Sequence, residues 1–121
     1  GYPVFVAVED DEIIGWAAYF QFVTPAIYHG TVENSVYVAP SARGKGVGNE
    51  LMCAVVDDAK DNDYVQTMIT YIVDTNEASI RLHKKFRFEE TGRMPNIHTK
   101  DGVRLGLVHL QRHFDRSSSS M

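Results

Sequence analysis

Cysteine is nearly absent. Cys53 stands alone in 121 residues, so no internal disulfide and no paired-sulfur zinc site can form. Its place in an apolar helical pattern makes a small core residue the expectation. Basic charge is also short: twelve Lys and Arg face sixteen Asp and Glu, a formal net charge of −4. No global positive field draws in nucleic acid, so any anion site must be local. No apolar run reaches bilayer-spanning length and no secretory pattern is legible; the expectation is a cytoplasmic chain with no membrane partner. His29, His98, His109 and His113 show no metal-ligand spacing, and no metal is expected.

What is present suits one α/β domain: 121 residues, 44% of them hydrophobic, enough to bury a core without staples. Residues 4–9 read as a strand, "EDDE" at 9–12 as a turn, and 13–23 as a second, mostly buried strand with Gly15 at a bulge. Trp16, Tyr19 and Phe20 read as core there. After a loop at 24–30, residues 31–39 alternate as a third strand that Pro40 ends. The period then changes. Val47, Leu51, Met52, Val55, Val56 and Ala59 mark one face of an amphipathic helix. Residues 64–73 read as a fourth strand. A second helix opens at an N-cap within 74–76 and carries Ala78, Leu82 and Phe86. Residues 88–97 and 103–114 flank Lys100-Asp101-Gly102 as a closing hairpin. Strand hairpins around a strand–helix–strand–helix centre predict a mixed α/β sheet. The expected domain is 1–115, with 116–121 a disordered tail. The non-Met start at Gly1-Tyr2-Pro3 reads as a domain taken from a longer protein.

Between the third strand and the first helix lies Arg43-Gly44-Lys45-Gly46-Val47-Gly48. Glycines permit positive φ and a close backbone approach. The helix start leaves N–H groups unpaired and partly positive, Arg43 adds a planar fork and Lys45 a mobile charge. The stretch lacks G-x-x-x-x-G-K-[S/T], and Asn49 breaks G-x-G-x-x-G. What stands is R-x-x-G-x-G between strand and helix, a cradle for a pyrophosphate.

This strand–RxxGxG–helix unit resembles the acyl-CoA signature of the GNAT-type N-acetyltransferases. "NEASIRLHKKFRFEETGR", 76–93, is similar to that family's second helix and following strand. "TVENSVYV" (31–38), "NEASIRLH" (76–83), "GRMPN" (92–96) and "GYPVFVAVEDDEIIGWA" (1–17) narrow the resemblance to the phosphinothricin acetyltransferase subfamily. It implies a GNAT-type, mostly antiparallel sheet with two helices, lacking the family's N-terminal strand and helices. It implies direct acetyl transfer from acetyl-CoA to the primary amine of a small molecule, an amino-acid analogue such as phosphinothricin or methionine sulfoximine, and a homodimer. A scaffold or sensor that binds acyl-CoA without turnover, and a protein or peptide N-acetyltransferase, stay open beside it. Two departures stand out: Arg87 where the family has glycine, and Gly102-Val103-Arg104-Leu105-Gly106 where the subfamily tends to Gly-x-Trp-x-Asp.

An amine acceptor arrives protonated near neutral pH, so a base must take its proton. By the resemblance that base is Glu33, of opposite strand parity to Val32 and Asn34. The oxyanion donor is the Val38 backbone N–H, and the acid that protonates the leaving thiolate is His83. Val36, Tyr37, Val38, Arg43, Gly44, Lys45, Gly46, Val47, Gly48, Asn76 and Ser79 are expected to hold the cofactor, Asn76 doubling as a helix cap. Tyr28 and Tyr19 are the acceptor-pocket candidates. Lys84, Lys85 and Arg87 read most simply as a solvated helix end, with the 3′-phosphate of CoA as the alternative.

Overall fold

Asp10 and Asp11 both take left-handed backbone angles, φ 51° and 65°, as a two-residue type I′ turn requires. They join β1 (Val4–Glu9) to β2 (Glu12–Gln21). This computed structural model describes residues 1–23 and 26–116. Opposite Ala7 and Val8 the register slips from Gly15 to Ile13, so β2 carries a bulge beside Gly15 as its sequence suggests. A short 3-10 turn, Ala26–Tyr28, leads to β3 (Thr31–Val38), and another, Pro40–Ala42, leads to α1 (Val47–Lys60). Then come β4 (Thr67–Val73), α2 (Glu77–Lys85), β5 (Glu89–Lys100) and β6 (Val103–His113). The sheet order is β1-β2-β3-β4-β6-β5. All neighbours are antiparallel except β3 and β4, whose parallel ladder stops at Glu33↔Ile69.

Both helices lie on one face. The α1 stripe Val47, Leu51, Met52, Val55, Val56 and Ala59 is buried against Ala17, Val32, Met68, Val108 and Leu110. Cys53 corrects the reading: it is exposed, because a residue following Met52 at 100° per position leaves the buried arc. On α2 the buried residues are Ile80 and His83, not Ala78 and Phe86. The predicted Ala78–Leu82 stripe turns toward a cleft described below. The opposite sheet face carries no helix among the described residues. Val4, Val6, Trp16, Phe20 and Tyr37 are exposed there, so Trp16 and Phe20 are not core; only Tyr19, of the other parity, is.

Two boundaries differ from expectation. β4 begins at Thr67 rather than 64, because Val65 is buried within a turn, its N–H bonded to Asn62 O at 2.9 Å. Arg116 locks that turn. Its guanidinium donates to the carbonyls of Ala59, Lys60, Asn62 and Val65 at 2.7–2.9 Å, so it belongs to the packed structure and not to a tail. The rest of the expected tail, 117–121, and part of the 24–30 loop lie outside the described residues.

The departures from the family pattern have local explanations. α2 ends in a Schellman motif: Phe88 N–H bonds His83 O and Arg87 N–H bonds Lys84 O, both at 3.0 Å. Arg87 therefore sits at φ 69°, a position suited to glycine. Arg87→Gly is expected to stabilise the fold by about 1 kcal/mol. A higher urea midpoint at unchanged m-value is the readout; an unchanged midpoint defeats the argument. At Gly106 a Cβ would lie 2.7 Å from Met94 O and 2.8 Å from Pro95 Cα, because β5 bulges between Met94 and His98. Arg104 pins that bulge, donating to Asn96 Oδ1 at 2.9 Å, to Thr99 Oγ1 at 3.0 Å and to the Asn96 carbonyl. Glycine and arginine are what this bulge needs.

Candidate active site

The glycine turn folds as its composition demands. Gly44 and Gly46 take φ 80° and 81°, and a Cβ on either would meet nothing within 4 Å. Gly46 is the N-cap of α1 and offers no capping side chain; the first intrahelical bond runs from Glu50 N–H to Gly46 O at 3.1 Å. The N–H groups before it are the helix's orphan donors, and they open on a cleft of about 420 Å³. Val36, Tyr37, Val38, Arg43, Gly44, Gly46, Val47, Gly48, Asn76 and Ser79 line it. These ten are cofactor candidates from the sequence, brought together by one end of the sheet and both helix starts. Lys45 is the exception. It turns away from the cleft to Glu9 at 3.8 Å. Arg43 is tethered by Nε to Val38 O at 3.3 Å. Asn76 caps α2, accepting from Ser79 N–H at 3.2 Å.

Residues not singled out for this cleft also line it: Ala42, Asn49, Ala78 and Leu82. Lys85 lines it too and reaches across to Asn49 Oδ1 at 2.9 Å. The 4-residue spacing of Ala78 and Leu82 was the available signal, read as core-facing rather than cleft-facing.

The second feature is an opening in the sheet. Beyond Glu33↔Ile69, β3 and β4 no longer pair, while β4 stays laddered to β6 as far as Val73↔Leu107. The Asn34 carbonyl points to the β4 side, where Thr70 Oγ1 donates to it at 3.3 Å. Ala39 N–H points the other way, to Ile14 O at 2.8 Å. Strand alternation between these two fixed points aims the N–H groups of Val36 and Val38 into the opening. Backbone donors lining a gap between strands suit an extended ligand arm carrying amides or a carbonyl.

On the helix-free face a second cleft, also about 420 Å³, is lined by Phe22, Tyr28, Thr67, Ile69, Tyr71, Thr91, His109 and neighbouring residues. Glu33 stands at its edge: its cross-strand partner is Ile69. Partial burial holds the Glu33 carboxyl above its usual range. The Tyr71 phenol is raised as well, first by burial and then by the nearby Glu33 charge, so it stays an O–H donor. Tyr28 lines this cleft, its ring edge-on to Phe22 at 5.5 Å.

Tyr19 does not. It is buried under α1 on the other face, donating to Asp58 Oδ1 at 2.5 Å and accepting from Asn62 at 3.3 Å. Burial, reinforced by the Asp58 bond, pushes its pKa up to about 12. Tyr19 anchors α1 to the sheet and does not line this cleft.

His83 is also unlike the expected acid. It is buried; its Nδ1–H donates to Ser79 O at 2.8 Å, which leaves Nε2 to accept from Asn34 Nδ2 at 3.1 Å. Burial lowers its pKa below the usual histidine value, against the pull of the Ser79 bond. A neutral imidazole with both nitrogens engaged has no proton to give a thiolate. Its visible work is to tie α2 to β3.

The glycine turn at a helix start, the unzipped strand pair and the half-buried Glu33 on the far face lie around one opening in the sheet. The model of the acetyltransferase (GNAT) family matches residues 1–88. The L-methionine sulfoximine/L-methionine sulfone acetyltransferase of Pseudomonas paraeruginosa is 37% identical over 121 residues, covering 99% of this chain and 70% of that protein. The L-amino acid N-acyltransferase MnaT of Escherichia coli is 36% identical over 115 residues, 95% of this chain and 66% of that one. A crystal structure of a GNAT superfamily phosphinothricin acetyltransferase from Sinorhizobium meliloti, in complex with AcCoA, superposes with TM-score 0.90 at 31% identity, covering 99% of this chain and 65% of that one. The chain thus spans about two thirds of the length of these relatives. It belongs to the GNAT family of N-acetyltransferases.

Proposed function

We propose that this chain moves an acetyl group from acetyl-CoA to the primary amine of a small amino-acid analogue, of the methionine sulfoximine, methionine sulfone or phosphinothricin type. The observation that carries the reading is the pairing of two clefts, one on each side of the β3–β4 opening, with Glu33 beside one and the glycine cradle inside the other. The cradle fits the diphosphate of CoA: Gly44 and Gly46 leave open space where a Cβ would stand, and orphan N–H groups converge there with Arg43 and Lys85. Acetyl-CoA supplies an activated acetyl thioester.

This chain's own groups do the rest. The α1 N-terminus and Arg43 hold phosphate oxygens. The N–H groups of Val36 and Val38 hold carbonyl oxygens in the opening; a donor of this kind is worth about 3 kcal/mol to an acyl transfer. Glu33 takes one proton of the acceptor ammonium, which frees the nitrogen lone pair to attack the acetyl carbonyl directly; the C–N bond forms as the C–S bond breaks, and the thiolate leaving group takes the second nitrogen proton by way of water. Cys53 lies outside both clefts and forms no acyl-enzyme. The reading sets the chain in the cytoplasm, where acetyl-CoA is held.

The test separates binding from turnover. Acetyl-CoA affinity is measured by calorimetry, and acetylated products are read by mass spectrometry over L-methionine sulfoximine, L-methionine sulfone, phosphinothricin and a peptide panel. Product from the small analogues is the expected result. Tight binding with no product would move the assignment to an acyl-CoA sensor, and product from peptides alone to a peptide acetyltransferase.

A further inference from the structure

The helix-free cleft has a polar group that the chemistry above does not use. His109 is central to β6, directly across from Tyr71 on β4, and the two rings meet edge to face at 4.6 Å. Its Nε2 is buried and finds no hydrogen-bond partner. The neighbouring polar side chains are engaged: Thr67 Oγ1 with His113 Nδ1 at 2.9 Å, Gln111 Nε2 with His113 Nε2 at 3.1 Å, and Thr91 Oγ1 with the His109 carbonyl at 3.4 Å. A buried imidazole nitrogen without a partner is costly. The ring itself lines the cleft, so a ligand seated there meets the imidazole.

The cleft also states what kind of ligand. No Lys or Arg lines it among the described residues, so it is not built for phosphate-rich molecules. Phe22, Tyr28 and Ile69 give it apolar walls. One carboxylate, Glu33, stands at its edge. Glu33 and His109 are two strands apart and two positions apart along β4, which puts their Cα atoms roughly 12 Å from each other. With each side chain reaching inward, the space left matches a short zwitterion: ammonium toward Glu33, and a polar oxygen on a three- or four-atom side chain toward the imidazole.

We infer that His109, with the Tyr71 hydroxyl beside it, is the specificity-determining group that binds the side-chain oxygen (S=O or P–O) of the acceptor. The His109 ring N–H donates one hydrogen bond and Tyr71 Oη–H a second. This inference rests on the acetyltransferase reading and deepens it.

The test compares L-methionine sulfone with L-methionine, which lacks the oxygens, on wild type, His109→Ala and His109→Gln. The expected result is a tenfold or greater rise in KM for the sulfone in His109→Ala. kcat is expected to stay within about twofold, KM for acetyl-CoA to be unchanged, and the preference for sulfone over methionine to collapse. His109→Gln, whose amide can donate from a similar place, is expected to recover part of the loss. Equal losses for sulfone and methionine, or an unchanged sulfone KM, overturn the inference while leaving the acetyltransferase reading intact. If wild type binds acetyl-CoA but turns over neither amine, that reading falls separately. Calorimetric titration of L-methionine sulfone then decides: tenfold weaker binding to His109→Ala supports the site, and no binding to wild type ends it. Should His109→Ala not fold, His109→Gln carries the same comparison.

Discussion

Glu33→Gln is expected to lower kcat for amine acetylation by roughly 10²–10⁴-fold while leaving acetyl-CoA affinity unchanged. The carboxylate stands on the helix-free face, away from the cradle, so a neutral isostere removes the base without touching the cofactor cleft. A second effect goes the opposite way. Partial burial raises the Glu33 pKa above its ordinary value of 4.5, so the folded state binds this proton more tightly than the unfolded chain does. The resulting stability is fully present below 4.5 and is lost as pH rises through the folded-state pKa. At neutral pH the ionised group is a net cost to folding, and Glu33→Gln removes it. Urea unfolding of wild type and variant from pH 4 to 8 should show the wild type losing ground to the variant as pH rises. The acid limb of the wild-type rate profile should fall above the usual carboxylate range. A variant with full activity would remove Glu33 from the mechanism, whatever its stability.

The opposed effects are informative about why a carboxylate sits half-buried on this strand at all. Glu33 lies between Phe20 on β2 and Ile69 on β4, both apolar, and among the described residues its side chain makes no hydrogen bond or ion pair. A structural glutamate is normally solvated or paired. A carboxyl whose burial raises its proton affinity is of the sort found where chemistry needs a base.

What the sequence disclosed depended on how local the determinant was. The α1 stripe and the glycine turn were legible because periodicity and positive-φ residues act within a few positions. Parity gave Glu33 its face for the same reason: adjacent strand residues point oppositely, and Val32 and Asn34 are buried. Tyr19 as an acceptor-pocket residue and His83 as an acid do not follow the sequence reading, because the roles of both are set by partners far along the chain. Tyr19 meets Asp58, thirty-nine residues on, and His83 meets Asn34, forty-nine residues back. His83 looks like an exposed polar candidate until tertiary contacts close around it, and Tyr19, read as core from its strand, gives no sign of the partner its hydroxyl finds. Cys53 failed for a smaller reason, one step around a helix. His109 had no signal at all, since one strand residue in a run of alternating types says nothing about an unmet hydrogen bond. Lys45 was placed in the cradle by proximity in sequence, and its pairing with Glu9 depends on the β1–β2 turn lying nearby.

The cradle itself yields to a substitution that fills it. At Gly48 a Cβ would stand 3.2 Å from Leu82 Cδ2 and 3.7 Å from Val38 Cγ2, side-chain atoms able to give by a few tenths of an ångström. Gly48 is the second residue of α1 and its φ is not in the left-handed region, so a larger residue is conformationally acceptable and gains helix propensity of up to about 1 kcal/mol. Gly48→Leu should therefore fold, with a midpoint close to wild type, while its side chain occupies the space between α1, α2 and β3 that the N–H groups face. Acetyl-CoA affinity is expected to fall by about 100-fold or more, roughly 2.8 kcal/mol, with Gly48→Ala intermediate because one methyl group meets only yielding side chains. Calorimetric Kd values for both variants, alongside thermal melts, separate occlusion from unfolding. The contrast with Gly44 sharpens the reading. There φ is 80° and nothing lies within 4 Å of a Cβ, so alanine costs backbone strain but fills no occupied space, and its damage to affinity should track its damage to stability. If Gly48→Leu bound acetyl-CoA as tightly as wild type, the helix start would not be where the diphosphate sits, and the division of labour between the two faces of the sheet would have to be redrawn.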